Sequence, residues 1–219
     1  MHLRAIVFLL PTLFLTCGSL AQPVADDNLS INARFLVAAR NADAAGIARG
    51  LDSGANVNSR NRLGESALVI LLKNNQVDLA QKVLAAGADV NLAAVNGITP
   101  LMAAAFNGQT GMAKQLLDKG ANVAALDRLQ KNAMTYAAGA GSTEIVELLI
   151  SRGVNPNAVY NNDLTALMWA AGFGKTATVK SLLAAGAKPQ LKDNRGKTAA
   201  DMAREGHFDE TAAVLDAAG

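Results

Sequence analysis

The chain has 219 residues, of which 51% are hydrophobic and only 4% aromatic, and its 20 Lys and Arg against 18 Asp and Glu give a formal net charge of +2. Alanine and leucine make up most of the apolar share, which favours short, closely packed helices over a sheet sandwich. Positive and negative side chains are interspersed, so the composition argues against a nucleic-acid-binding surface.

Residues 1–21 have the features of a secretion signal. A weakly basic start precedes an apolar run at 5–16, which is too short to span a bilayer. Ser19-Leu20-Ala21 then supplies small residues at the two positions that a signal peptidase reads. We therefore expect cleavage before Gln22, export to the periplasm, and no integral membrane segment after cleavage. The alternative is a lipoprotein anchored in the membrane through Cys17.

Cleavage would leave a mature chain with no thiol and a single imidazole, His207. Disulfides, thiolate metal sites and Cys–His or Ser–His nucleophile pairs are then unavailable. We predict a protein without catalytic residues, metal ligands or cofactors. Residues 22–29 are polar and include Pro23, so we expect a flexible linker before the fold.

Glycine recurs every 33 residues, and this period is the main organising feature of the chain. The first series comprises Gly54, Gly87, Gly120, Gly153, Gly186 and Gly219. A second series on the same period comprises Gly64, Gly97 and Gly196, with Gln130 and Asp163 in the intervening positions. A fixed period of this length indicates a solenoid of stacked units, each touching only its neighbours. Such a stack offers a long surface rather than an enclosed pocket, which favours binding over catalysis.

The copy at 95–127 shows the unit most clearly. Thr99 is a good N-cap, and Pro100 fits the first helical position because no amide donor is missed there. The first helix is predicted to stop at Asn107-Gly108, since glycine enters the left-handed conformation without a Cβ clash. A second helix is predicted from about Thr110 to Lys119. The segment between units has turn chemistry, and we expect a projecting hairpin finger.

This pattern resembles the ankyrin repeat. The matching segments are Thr99-Pro100-Leu101-Met102-Ala103-Ala104, Thr165-Ala166-Leu167-Met168-Trp169-Ala170-Ala171 and Leu182-Leu183-Ala184-Ala185-Gly186-Ala187. The resemblance covers about 30–219 and implies a mainly α fold, an ankyrin-repeat solenoid of stacked helix–turn–helix units with hairpin fingers. It divides the chain into an amino-terminal cap at 30–61, four repeats at 62–94, 95–127, 128–160 and 161–193, and a carboxy-terminal cap at 194–219.

The chain departs from the family pattern at one position of every full repeat. The histidine of the family signature is replaced by Val69, Met102, Thr135 and Met168. In the family that histidine ties fingers together by hydrogen bonds, so its replacement bears on how rigid the fingers are.

The other sequence motifs do not indicate nucleotide binding or catalysis. Gly172-Phe173-Gly174-Lys175-Thr176 ends like a phosphate loop, but Trp169 stands where the motif needs glycine. His207 follows Gly206 and has no acidic or thiol partner in register, which predicts a structural role. The carboxylates of Asp89, Asp127, Asp193 and Asp201 sit at positions typical of turns or caps.

Aromatic side chains are the candidate binding residues. Together with two leucines they form the predicted partner-binding set Phe106, Tyr136, Tyr160, Trp169, Phe173, Leu129 and Leu164. Tyr136 and Trp169 occupy one position in adjacent repeats, so we expect them to form the broadest apolar platform of a concave groove with a charged rim. The alternative is that these rings fill gaps between the inner helices.

Our hypothesis is an exported bacterial ankyrin-repeat protein that binds another protein through its concave face, where the leader at 1–21 indicates export and the resemblance implies interaction and nothing sharper. We expect a monomer that has no catalytic activity and binds no nucleic acid. Among exported bacterial proteins of this family, some support envelope enzymes such as catalases and others neutralise toxins. The alternative function is that of a carrier for a small apolar ligand or peptide held in the aromatic groove.

Overall fold

The computed structural model describes residues 29–219, so the predicted signal segment, Cys17 and almost all of the predicted linker lie outside the described residues. Within this range the chain forms twelve α-helices: α1 Ile31–Arg40, α2 Ala44–Asp52, α3 Ala67–Lys73, α4 Val77–Ala85, α5 Pro100–Phe106, α6 Thr110–Asp118, α7 Ala133–Ala140, α8 Thr143–Ser151, α9 Ala166–Gly172, α10 Thr176–Ala184, α11 Ala199–Glu205 and α12 Asp209–Asp216. None of these helices is long and apolar enough to cross a membrane.

The helices form two layers. Odd-numbered helices pack on one another in sequence and make a first-helix layer, and α6, α8, α10 and α12 pack similarly in a second-helix layer. The 33-residue period brings equivalent side chains together in each layer. Leu68, Leu101, Met134 and Leu167 are buried in the first, and Val83, Leu116, Leu149 and Leu182 in the second. Because helices this short are marginal alone, this shared core is what stabilises them.

Capping fixes where the first helix of each unit begins. The Thr99 hydroxyl accepts from the Met102 N–H, and the Met102 sulfur in turn lies 3.5 Å from the Thr99 N–H. α5 therefore begins at Pro100, as the sequence predicts. α6 begins at the predicted Thr110 without a side-chain cap. Equivalent reciprocal caps join Thr165 to Met168 and Asn132 to Thr135. At Met102, Thr135 and Met168 the side chain that replaces the family histidine thus bonds back to its own helix start.

Five hairpin turns, here called fingers 1 to 5, precede α3, α5, α7, α9 and α11. They span 61–65, 94–98, 127–131, 160–164 and 193–197, and in each the first N–H donates to the fifth carbonyl. The turn needs a left-handed residue at its fourth position. Gly97 has a φ of +85°, and a Cβ there would lie 2.7 Å from the Asp127 Cα. Gln130 and Asp163 adopt the same left-handed backbone, each with a φ of 59°.

Backbone hydrogen bonds join three of the four pairs of neighbouring fingers. In each pair the N–H of the second residue in one finger donates to the third carbonyl of the finger before it. The pairs are Val95 to Leu63 at 2.9 Å, Arg128 to Asn96 at 3.0 Å and Asn194 to Asn162 at 3.1 Å. Among the described residues, the junction of finger 3 with finger 4 has no such bond.

Asparagine side chains add a second set of ties just before the fingers. The amide oxygens of Asn58, Asn91 and Asn157 each accept a backbone N–H from the following unit at 2.8 Å. The remaining position of this series, third in chain order, is Ala124, which has no side-chain acceptor. Ala124 precedes finger 3, so both kinds of tie are missing at the same junction.

Candidate functional site

Exposed large apolar side chains are confined to one side of the stack. Apart from Leu29, those in the described part of the chain lie on or beside the fingers (Leu63, Val95, Leu126, Leu129 and Val159) or at the ends of first helices (Phe106 and Phe173). The second helices expose none. The surface formed by the fingers and the first helices, where the groove is predicted, is here called the finger face.

The predicted aromatic residues form two pairs rather than one platform. Phe106 meets Tyr136 edge to face, with centroids 6.1 Å apart, and Trp169 stacks on Phe173 at 6.0 Å. Tyr136 and Trp169 do share a register position, but the Lys131 ammonium lies over both rings, 5.0 Å and 5.4 Å from their centroids. The predicted apolar platform therefore consists of two aromatic pairs, and the Lys131 ammonium, which was not predicted, lies between them.

Asp127 fixes finger 3 to α7. One carboxylate oxygen accepts the N–H groups of Leu129 and Lys131, both at 2.8 Å, and so closes the turn as predicted. The other oxygen accepts a 2.6 Å bond from the Tyr136 hydroxyl. Burial, together with this bond and the nearby negative charge, raises the pKa of Tyr136 well above its usual value. Tyr136 therefore serves as a neutral donor that positions the finger.

Asp193 closes the turn of finger 5 from the same position as Asp127 in finger 3. It accepts the N–H groups of Arg195 and Lys197 and pairs with the Arg195 guanidinium at 2.8 Å. Burial alone would raise the pKa of Asp193, but these hydrogen bonds and the guanidinium outweigh it and hold the pKa below its usual range. The predicted turn role of Asp193 is confirmed.

Two clefts lie side by side on the finger face, and Leu164 and Trp169 line both. The cleft between fingers 3 and 4 has a volume of about 210 Å³ and is also lined by Leu129, Lys131 and Tyr160. The cleft beside α11 has a volume of about 320 Å³ and includes Phe173, Met168, Met202, Arg195 and Glu205. Five of the seven predicted residues thus surround these clefts, while Phe106 and Tyr136 line neither cleft.

Two polar groups at the clefts bear on what could bind there. The indole nitrogen of Trp169 is enclosed and has no hydrogen-bond partner within residues 29–219. Burial raises the pKa of Tyr160, an effect that the adjacent Asn132 side chain opposes only in part. Both rings are therefore neutral and mainly apolar surfaces at ordinary pH.

Positive charge on the fingers is only partly neutralised. Arg195 pairs with Asp193, and Lys197 with Glu205. Within residues 29–219, Arg62, Arg128 and Lys131 have no carboxylate within 4.0 Å. Fingers 1 and 3 thus present free cations to a partner beside the exposed leucines.

The rejected chemical motifs have structural roles. His207 is an exposed turn residue with a φ of 58°, and Gly174, with a φ of 62°, links α9 to α10. Across residues 29–219, no three His, Cys, Asp or Glu side chains gather in an arrangement that could hold a metal ion.

The sequence reasoning missed three features of this site. Lys131 was not among the predicted residues, and its position between two rings depends on the path of finger 3. The Tyr136–Asp127 bond likewise depends on a turn and a helix meeting in space. The absence of an asparagine at position 124 could have been predicted from the sequence, because Asn58, Asn91 and Asn157 follow the same 33-residue period.

A family model for ankyrin repeats in three copies matches residues 35–127 and 133–216, which together make up most of the chain. The chain belongs to the ankyrin-repeat family, whose members are generally protein–protein interaction modules. No curated protein matches the sequence.

Proposed function

We propose that this protein is a non-catalytic interaction module of the bacterial cell envelope that binds a partner protein through its finger face. The observation that supports this proposal is that exposed apolar side chains lie on the finger face. Phe106 and Phe173, at the ends of α5 and α9, are more than half exposed. Apolar anchors surrounded by charge are typical of protein interfaces. The free cations of fingers 1 and 3 favour a partner with an acidic rim.

Site-specific photo-cross-linking tests this function. A photoreactive phenylalanine analogue at Phe106 or Phe173 should capture one partner from the producing cells, whereas the same analogue at Gln81 should not. Gln81 is the matched control because it is exposed on α4, in the second-helix layer. Capture from Gln81 alone would move the interface to the opposite side of the stack. The identity of the partner would distinguish support of an envelope enzyme, such as a catalase, from neutralisation of a toxin.

The envelope location is supported by the sequence of residues 1–21. Amino-terminal sequencing of the exported chain should begin at Gln22. A mature chain that retains a lipidated Cys17 would instead make the protein a membrane-anchored lipoprotein, and an exported chain that retains Met1 would show that residues 1–21 are not cleaved.

A second candidate is a carrier of a small apolar ligand, which the paired clefts favour. Their volumes of about 210 and 320 Å³ are at or below the lower end of the ~300–1,000 Å³ usual for small-molecule sites. Open clefts of this size suit single side chains better than whole ligands, so we favour the protein partner. A thermal-shift panel of apolar compounds tests the carrier, which requires one compound to raise Tm strongly without any polypeptide.

A further inference from the structure

The junction between fingers 3 and 4 is open where the other finger junctions of the described chain are closed. By register, the Asn161 N–H should donate to the Leu129 carbonyl, but these two groups bond neither each other nor another described residue. The asparagine tie is also lost, because Ala124 stands in its place. Two backbone groups, one donor and one acceptor, are therefore free at a single gap in the finger row.

The tip of finger 4 differs from the other fingers in its backbone. Each of the others has one left-handed residue, whereas finger 4 has two in succession, Asn162 with a φ of 60° and Asp163 with a φ of 59°. A short 3-10 turn at Asn161–Asp163 results. Asn and Asp adopt the left-handed backbone more readily than other non-glycine residues, and this distinct turn borders the gap.

The gap holds the cleft of about 210 Å³, and its lining has a definite chemistry. Leu129, Tyr160, Leu164 and Trp169 supply an apolar wall. Lys131 supplies one ammonium, held over two rings and without a carboxylate within 4.0 Å in the described chain. One apolar side chain, one carboxylate, one backbone C=O and one backbone N–H would together satisfy the site.

We propose that an extended segment of the partner protein binds between fingers 3 and 4 by strand addition. Its backbone pairs with the Leu129 carbonyl and the Asn161 N–H, a large apolar side chain fills the cleft, and an adjacent Asp or Glu lies against Lys131. Main-chain pairing with side-chain pockets is a recurring mode of peptide recognition. This inference rests on the proposed function and specifies the segment that the finger face recognises.

A matched pair of leucines makes the test sharp. Leu63 and Leu129 occupy the same position in fingers 1 and 3, and each is 65% exposed, but the Leu63 carbonyl is already bonded to Val95. Random 12-residue peptides displayed on phage are panned on the full chain, and an enriched peptide is synthesised. Its Kd should rise at least about tenfold for Leu129→Ser and less than about twofold for Leu63→Ser. Enriched peptides should carry an acidic residue beside a large apolar one.

Ala124→Asn offers a second variant that does not remove apolar surface. It should restore the missing tie, raise Tm and weaken peptide binding. Hydrogen exchange at the Asn161 amide should be fast in the free protein and slow with the peptide bound.

Other outcomes would overturn the inference in distinguishable ways. Failure to enrich any peptide, equal weakening by both leucine variants, or unchanged exchange at Asn161 would remove the cleft as the site. Suppose the cross-linked partner also loses affinity with Phe106→Ser but not with Leu129→Ser. The proposed function would then stand and only this inference would fail. An apolar compound that protects Asn161, with no polypeptide captured from the finger face, would overturn both.

Discussion

Trp169 stacks on Phe173 across the exposed end of α9, with ring centroids 6.0 Å apart and planes within 10° of parallel. Both rings pass over Gly139 of α7, where an added Cβ would lie 3.5 Å from Phe173 and 3.7 Å from Trp169. Trp169 thus packs against the core with one part of its ring and lines two surface clefts with another. The alternatives of groove and core, taken as exclusive from the sequence, both apply to this one side chain.

Trp169→Ala should lower the free energy of unfolding by about 2–3 kcal/mol, less than the roughly 3–5 kcal/mol of a fully buried tryptophan. The reduction follows from the part of the ring that is already exposed. Phe106→Ser is the control, because Phe106 is 59% exposed and its loss, which also removes the edge-to-face contact with Tyr136, should lower stability by only about 1 kcal/mol. Urea unfolding measures both. Equal losses would mean that Phe106 also belongs to the core.

Tyr136→Phe should destabilise the protein by about 1–3 kcal/mol, because Asp127, itself buried, would lose the donor to one carboxylate oxygen. Tyr160→Phe provides the comparison, since the Tyr160 hydroxyl has no carboxylate partner, and its loss should be smaller. Denaturant midpoints of the two variants report the difference. A Tyr136→Phe protein as stable as the parent would show that Asp127 finds another donor.

Gln130→Gly should raise stability by about 0.5–1 kcal/mol, because the left-handed backbone at this position costs a non-glycine residue about 1–2 kcal/mol. The added freedom of glycine in the unfolded chain offsets part of the gain. Gly97→Ala is the converse change at the equivalent position of finger 2, where the new Cβ would also lie 2.7 Å from the Asp127 Cα. Melting temperatures should therefore move in opposite directions.

Acid should destabilise the protein partly through Asp201. The Thr198 N–H and hydroxyl donate to its carboxylate at 3.0 and 2.8 Å, and these bonds, with the charges of Arg204 and Lys197, hold its pKa below the usual range. Such a group contributes its stability fully above the unfolded pKa of about 3.9 and loses it as pH falls through the lower folded value.

Asp201→Asn should therefore flatten the decline of stability at acid pH, measured as urea midpoints between pH 2 and pH 6. Asp52→Asn is the control, because Asp52 is exposed and makes no ion pair with any described residue. A slope unchanged by Asp201→Asn would assign the acid sensitivity to other carboxylates.

The sequence predicts features that repeat and misses those that occur once. The bounds of α5 follow from Thr99, Pro100 and Gly108, since capping and helix termination are local. Burial of the two layers follows from the 33-residue period, because equivalent apolar positions of successive repeats pack on one another. The position of Lys131 over two rings, and the Tyr136–Asp127 bond, depend on how finger 3 folds over α7. The open junction combines Ala124, where the 33-residue period shows that an asparagine is missing, with a tip conformation at Asn162 that no neighbouring repeat shares.

Met102 and Met168 place a thioether at two helix starts, and both side chains are almost fully buried. Peroxide can reach these sulfur atoms only when the surrounding repeat opens. Oxidation to the sulfoxide would then replace a soft apolar atom with a polar, bulkier group in the packed first-helix layer. A repeat damaged in this way could not close properly, so oxidation would weaken the packing between neighbouring repeats until the sulfoxide is reduced, first at the repeat that opens most often.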